Sequence, residues 1–235
     1  MNIIKYTLCA LTLGAAALVF TQPSEVSAHG DVAPQAVNTE GLPKIEGDEW
    51  LTENPWRDPK GEYWAKAVEI GASGYNQNCA RCHGLEAVSG GLAPDLRLLE
   101  ADESGDEWYI ERFTVGVTQN GITKMPAFGE LLGQEAAWAI RTYLETRPDE
   151  DALAEAASKL KEILHKLEGM EGKDSAPEIK GIIVELNEIS AKIETASGAP
   201  LADSPASRAA NFLDGSEGSV HKAVNALHIG LSVAQ

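Results

Sequence analysis

Sulfur is scarce in this chain, with three cysteines and three methionines in 235 residues. One of each set is expected to be lost early. Lys5 gives a short positive start, Tyr6 to Phe20 is an almost unbroken apolar stretch, and Val26-Ser27-Ala28 is a small-residue cleavage site. Residues 1–28 therefore read as a signal peptide, and Cys9 goes with it. Cys79 and Cys82 remain, so a disulfide framework is excluded once those two thiols are committed elsewhere. Long apolar runs are otherwise missing. The leader stretch is too short to span a membrane and no stop-transfer pattern follows, so the processed protein is expected in the periplasm and not membrane-spanning. Basic residues are the other deficit, 19 against 36 acidic ones, for a formal net charge of −17. The acids are spread along the chain and form no acidic tail. Such a field argues against nucleic acid as a partner and favours a partner that is basic, at least locally.

The two remaining thiols stand in Cys79-Ala80-Arg81-Cys82-His83. C-x-x-C-H is the attachment pattern of a c-type haem. Two thiols three positions apart form thioethers to one porphyrin edge, and the next histidine presents its imidazole to the iron. A zinc site built on these thiols would need a second Cys/His pair, and no other cysteine is left. One haem c, bound covalently through Cys79 and Cys82 with His83 as metal ligand, is the expectation. The second axial position calls for another donor, and only Met125 and Met170 are left to supply sulfur. Met125 sits in Lys124-Met125-Pro126-Ala127-Phe128-Gly129, read as an irregular loop able to wrap over the distal face, and a thioether there favours ferrous iron. Met170 falls in a turn between two helices. A proximal imidazole is oriented through its other ring nitrogen. The carbonyl of Pro94, in a loop stiffened by its ring, is the candidate acceptor from His83. Arg97, Arg112 and Trp108 are available as donors to the propionates. His165, His221 and His228 read as solvated helix residues.

The chain divides into sections. Residues 29–60 form an extended N-terminal segment rich in Pro, Gly and acids, with Trp50 and Trp56 as possible anchors. Residues 61–147 read as a haem domain with helices over Glu62–Tyr75, Glu107–Val115 and Gln134–Thr146. Residues 148–235 lose the aromatics apart from Phe212. Leu153, Leu160, Leu164 and Leu167 share one helix face; Ile179, Ile182, Leu186, Ile189 and Ile193 share another. Ser204 before Pro205 caps a third helix, and Val220, Val224, Leu227 and Leu231 stripe a fourth. These four are expected to make a bundle or paired hairpins that fold without the haem domain and serve docking or self-association.

Gly71 and Tyr75 precede Cys79 by eight and four positions, and Ile140 and Tyr143 lie in the domain's last helix. This pattern resembles the crossed terminal helices of class I cytochromes c, as do the Ala93-Pro94-Asp95-Leu96 and Met125-Pro126-Ala127-Phe128 loops. The resemblance implies an all-α fold, a class I cytochrome c domain followed by the C-terminal helices. His29-Gly30-Asp31-Val32, Glu49-Trp50, Asn54-Pro55-Trp56-Arg57 and Gly71 to Cys79 are further similar to PedF-type periplasmic cytochromes c. That likeness implies a PQQ-dependent alcohol dehydrogenase as electron donor and a terminal cytochrome oxidase downstream. It does not extend past residue 148.

A one-electron carrier with no catalytic residues is the leading expectation. The alternatives are a haem enzyme or gas sensor with a labile distal ligand, or a haem-bearing scaffold assembled through its tail. The acidic run Glu100, Asp102, Glu103, Asp106 and Glu107 reads first as a solvated loop, with steering of a basic partner as the sharper alternative.

Overall fold

Helix α1, Trp64–Asn78, buries Ala67, Ile70, Gly71, Gly74 and Tyr75, a stripe at helical spacing that gives it one apolar side. That side lies against α4, Gly129–Glu145, whose buried face includes Ala136, Ala139, Ile140 and Tyr143. The two helices meet so closely at Gly71 that a β-carbon there would lie 1.9 Å from the carbonyl oxygen of Ala139. No side chain fits that gap. The Tyr75 and Tyr143 rings stack obliquely beside it, with centroids 5.4 Å apart. The computed structural model that shows this describes residues 34–47, 49–170 and 176–232. The expected signal peptide, the His29–Val32 motif and residues 171–175 of the turn after α5 lie outside the described residues.

Between α1 and α4 the chain makes the short helix α2, Ala80–His83, two single 3₁₀ turns and α3, Glu103–Val115. Asp102 caps α3 by accepting the Gly105 N–H at 3.0 Å. The chain then departs from the expected loop. Strand β1, Val117–Gln119, pairs antiparallel with β2, Ile122–Met125. The turn is Asn120-Gly121, both with positive φ, the pair that a two-residue hairpin favours. The fold is mostly helical, as expected, and this hairpin is its one sheet among the described residues. Met125 closes β2 instead of lying in irregular chain. In α4, an interruption at Gly133 separates an entry turn from the regular helix, which starts at the expected Gln134.

The N-terminal segment has no helical or strand period, yet it is fixed to the helices by side chains. Trp56 is buried, and Trp50 packs on Phe113. The Leu51 and Ile45 N–H groups donate to Gln134 and Glu135, each at 2.9 Å. Buried Asn54 donates its own N–H to Asp106 and its side-chain amide to Glu145 and Thr142. Arg57 donates to both carboxylates, and Arg141 donates to Asp106 at 2.8 Å. Asp106, Arg141 and Glu145 are wholly buried. Asp106 thus belongs to an interior charge cluster and not to an acidic surface, a correction forced by two arginines that the run itself does not show.

Beyond Pro148 come α5 (Glu150–Met170), α6 (Ala176–Ser190), α7 (Pro205–Phe212) and α8 (Ser219–Ser232). Ser204 and Ser207 cap α7 reciprocally, with Pro205 at its first position. The four helices converge on one apolar cluster that includes Leu160, Leu167, Ile182, Leu186, Ala209 and Leu227. α8 packs on both α5 and α7, and α7 on α6, so the region is a bundle and not two separate hairpins. The apolar clusters of residues 37–144 share no member with it. The junction is polar. Asp149 donates its N–H to Glu194, Ala101 to Ser197 and Ala202 to Thr146.

Replacing Gly71 with alanine is expected to push α1 off α4 and to lower stability by ~1–3 kcal/mol, the usual cost of overpacking. Denaturant unfolding of the two proteins measures the difference. An unchanged midpoint would show that the crossing is not tight.

Candidate functional site

Cys79 ends α1 and opens α2, so the attachment motif continues directly from the helix that crosses α4. The Cys79 N–H donates to Tyr75 O at 2.8 Å, and the His83 N–H to Cys79 O at 3.0 Å. This single turn puts His83 back toward the interior, where it is buried, while Cys82 is exposed. His83 Nδ1 lies 2.8 Å from the Pro94 carbonyl oxygen, so the ring donates there and its Nε2 is free to face a metal. Burial lowers the imidazole's affinity for a proton, and the Pro94 hydrogen bond only partly opposes that. A neutral ring with Nδ1 protonated is the form that ligates iron. Burial also pushes the Cys79 thiol up to about 12, with Cys82 adding to it.

His83 and Cys79 line a cavity of about 430 Å³, counting its open mouth. Its other walls are Leu96, Tyr109, Phe113, Phe128, Ile140 and Leu144, together with Asn78, Pro126 and Met125. The mostly apolar lining suits a flat apolar cofactor. Met125 borders the same cavity as His83, at the end of β2, where the hairpin and the Pro126 turn carry it. Met170 is instead buried in the apolar cluster of the C-terminal bundle. The Cys79 thiol, an oriented imidazole and a thioether thus border one apolar space.

The other candidate donors also have partners within the protein. Arg97 is almost wholly buried and held by Asp95 and Glu150. Arg112 stacks on the Trp108 ring at 4.0 Å and pairs with Glu111. His165 and His228 both flank Glu168 at 3.0 Å on the exposed sides of α5 and α8. Tyr75, expected at the helix crossing, has a second task that its position did not reveal: its hydroxyl donates to Gly84 O at 2.7 Å, just after His83.

Residues 66–144 match the family described as cytochrome c oxidase, cbb3-type, subunit III. The chain is 58% identical over 119 residues to a cytochrome c550 of Pseudomonas aeruginosa, covering 51% of this chain and 81% of that protein. It is also 37% identical over 89 residues to the quinohemoprotein alcohol dehydrogenase ADH IIB of Pseudomonas putida, and 35% over 81 residues to ADH-IIG of the same organism. Those matches cover 37% and 34% of this chain but only 12% and 11% of the dehydrogenases. No solved structure matches. With the helix crossing, the C-x-x-C-H turn and the apolar cavity in place, the chain belongs to the class I cytochromes c and is a haem protein of electron transfer, not an enzyme.

Proposed function

We propose that this protein is a periplasmic one-electron carrier with a single haem c, held by Cys79 and Cys82 and ligated by His83 and Met125. The observation that carries this is one apolar cavity bordered by Cys79, His83 and Met125, with Pro94 orienting the imidazole. When bound, the haem supplies a reversible ferric–ferrous couple. The protein's residues do the rest. His83 would hold the iron through its Nε2, and its hydrogen bond to Pro94 would strengthen that donation. Met125 would be the second ligand, and its thioether would favour the ferrous state. Phe113, Phe128 and Leu144 exclude water from the space, which raises the cost of the extra charge on ferric iron. With His83 and Met125 both holding the metal, small molecules would have no ready site, which sets the carrier reading above an enzyme or gas sensor. We keep residues 61–147 as the haem domain and 148–235 as a helical region, because their apolar clusters are separate.

The proposed donor is a PQQ-dependent alcohol dehydrogenase, with a terminal oxidase as acceptor. Support for the donor is the similarity to short stretches of two alcohol dehydrogenases whose names include a haem group. A carrier related to a dehydrogenase's own haem segment suits the same electron path. The periplasmic location rests on the leader pattern of residues 1–28 and on the haem attachment chemistry. Among the described residues no helix is long and apolar enough to cross a membrane.

Met125→Ala is expected to keep the covalent haem, lose the methionine–ferric charge-transfer band in the near infrared, and lower the potential. A variant with the wild-type band and potential would remove Met125 from the iron.

Glu100, Glu103 and Glu107 are exposed, whereas Asp102 caps α3 and Asp106 is interior. Replacing the three exposed glutamates with glutamine is expected to slow association with a purified PQQ-dependent alcohol dehydrogenase at low salt and to flatten the salt dependence. Stopped-flow reduction measures both. Identical rates across the salt range would mean that this face does not steer.

A further inference from the structure

The loop that follows His83 is gripped at both ends by the C-terminal bundle. At the near end, Glu86 and Ala87 adopt φ of +57° and +64°. Two successive non-glycine residues in the left-handed region persist only where their surroundings hold them. Arg208 of α7 supplies that hold, donating two hydrogen bonds to the Glu86 carboxylate at 2.7 and 3.1 Å. Arg147 adds a third at 3.5 Å. Both arginines pair in turn with Asp203, just before α7. At the far end, Arg97 donates to Glu150 in the first turn of α5 at 3.2 Å and to Pro148 O at 3.4 Å. The same guanidinium holds Asp95 through Nε at 3.0 and 3.2 Å. Asp95 follows Pro94 directly, and Pro94 O is the acceptor for His83.

We propose that the C-terminal bundle is a positioning element for the haem iron. Arg208 acting through Glu86, and Glu150 acting through Arg97, fix loop 84–99 so that the Pro94 carbonyl stays on His83. The proposal rests on His83 being the proximal ligand. The bundle is then coupled to the haem side, unlike the independent unit that its apolar stripes alone suggest. A hydrogen bond from Nδ1 makes the imidazole a stronger donor and favours ferric iron. Loosening the loop weakens that bond and raises the potential.

Arg208→Gln separates this from a plain charge effect. Removing a cation near the iron lowers the potential by electrostatics alone, because ferric iron is less repelled. Releasing the loop raises it. The test uses full-length holoprotein and four variants. Arg208→Gln and Glu150→Gln break the two grips, and Arg208→Lys keeps the charge. Lys166→Gln, which breaks a surface pair with Glu185 inside the bundle, is the control. Amide exchange in residues 84–99 is expected to run about tenfold faster in Arg208→Gln and Glu150→Gln, as local opening becomes easier. It stays near wild type in Arg208→Lys and Lys166→Gln. The potential of Arg208→Gln is expected to rise, with a shift in the His83 ring-proton resonances. Unchanged exchange in both grip variants overturns the proposal, as does a fall in potential for Arg208→Gln with unchanged His83 resonances. Glu150 is more than half exposed, so its variant leaves the fold intact even where Arg208→Gln does not. The assignment of His83 fails separately, in the wild-type protein, if its ferric spectrum lacks an imidazole ligand; that spectrum is recorded before any variant.

Discussion

The close crossing of α1 and α4 at Gly71 is the contact on which the site depends. α1 ends in the attachment motif, so its placement against α4 decides where Cys79 and His83 stand. α4 supplies Ile140 and Leu144 to the cavity and Tyr143 to the ring pair beside the crossing. A shift of one helix along the other would therefore move Cys79 and His83 relative to the apolar wall. Backbone against backbone, with no side chain between them, is a contact with little freedom to slide.

Charge performs the second task. Asp106, Arg141 and Glu145 are wholly buried, with Arg57 closing the cluster from the N-terminal segment. Burial raises the Glu145 carboxyl's affinity for protons, opposed by Arg141 and Arg57. Such clusters stabilise little against an apolar alternative, but breaking one member is costly because a charge is left unpaired in the interior. Their effect is to specify one arrangement of the segment, α3 and α4. The junction with the C-terminal bundle is built in the same way. Most of the apolar stripes are satisfied inside the bundle, and arginine–carboxylate pairs span the junction.

Much of this was legible in the sequence because spacing carried it. The C-x-x-C-H turn, the glycine eight residues before it and the leucine and isoleucine stripes all encode local geometry. The Pro94 carbonyl was found because a proximal imidazole needs an acceptor and that loop follows closely. The rest depends on distant partners. Asp106 looks like its exposed neighbours until Arg57 and Arg141 arrive from residues far along the chain. The pairing of Arg97 with Glu150 was not legible because Glu150 lies beyond an apparent domain boundary. The hairpin was the avoidable miss. Asn120-Gly121 between Val117-Thr118-Gln119 and Ile122-Thr123-Lys124 is a hairpin signal, obscured by the Pro126 and Gly129 that suggested a loop. The N-terminal segment has no period to read, since its order comes from side chains meeting backbone N–H groups.

The central proposal is a single covalent haem whose iron His83 and Met125 would both hold. The near-infrared and visible spectra of the purified oxidised protein, taken with its intact mass, test it most directly. The account predicts the added mass of one haem, a low-spin ferric spectrum and a methionine charge-transfer band that vanishes on reduction. A high-spin ferric spectrum without that band, or a mass lacking haem, would contradict it.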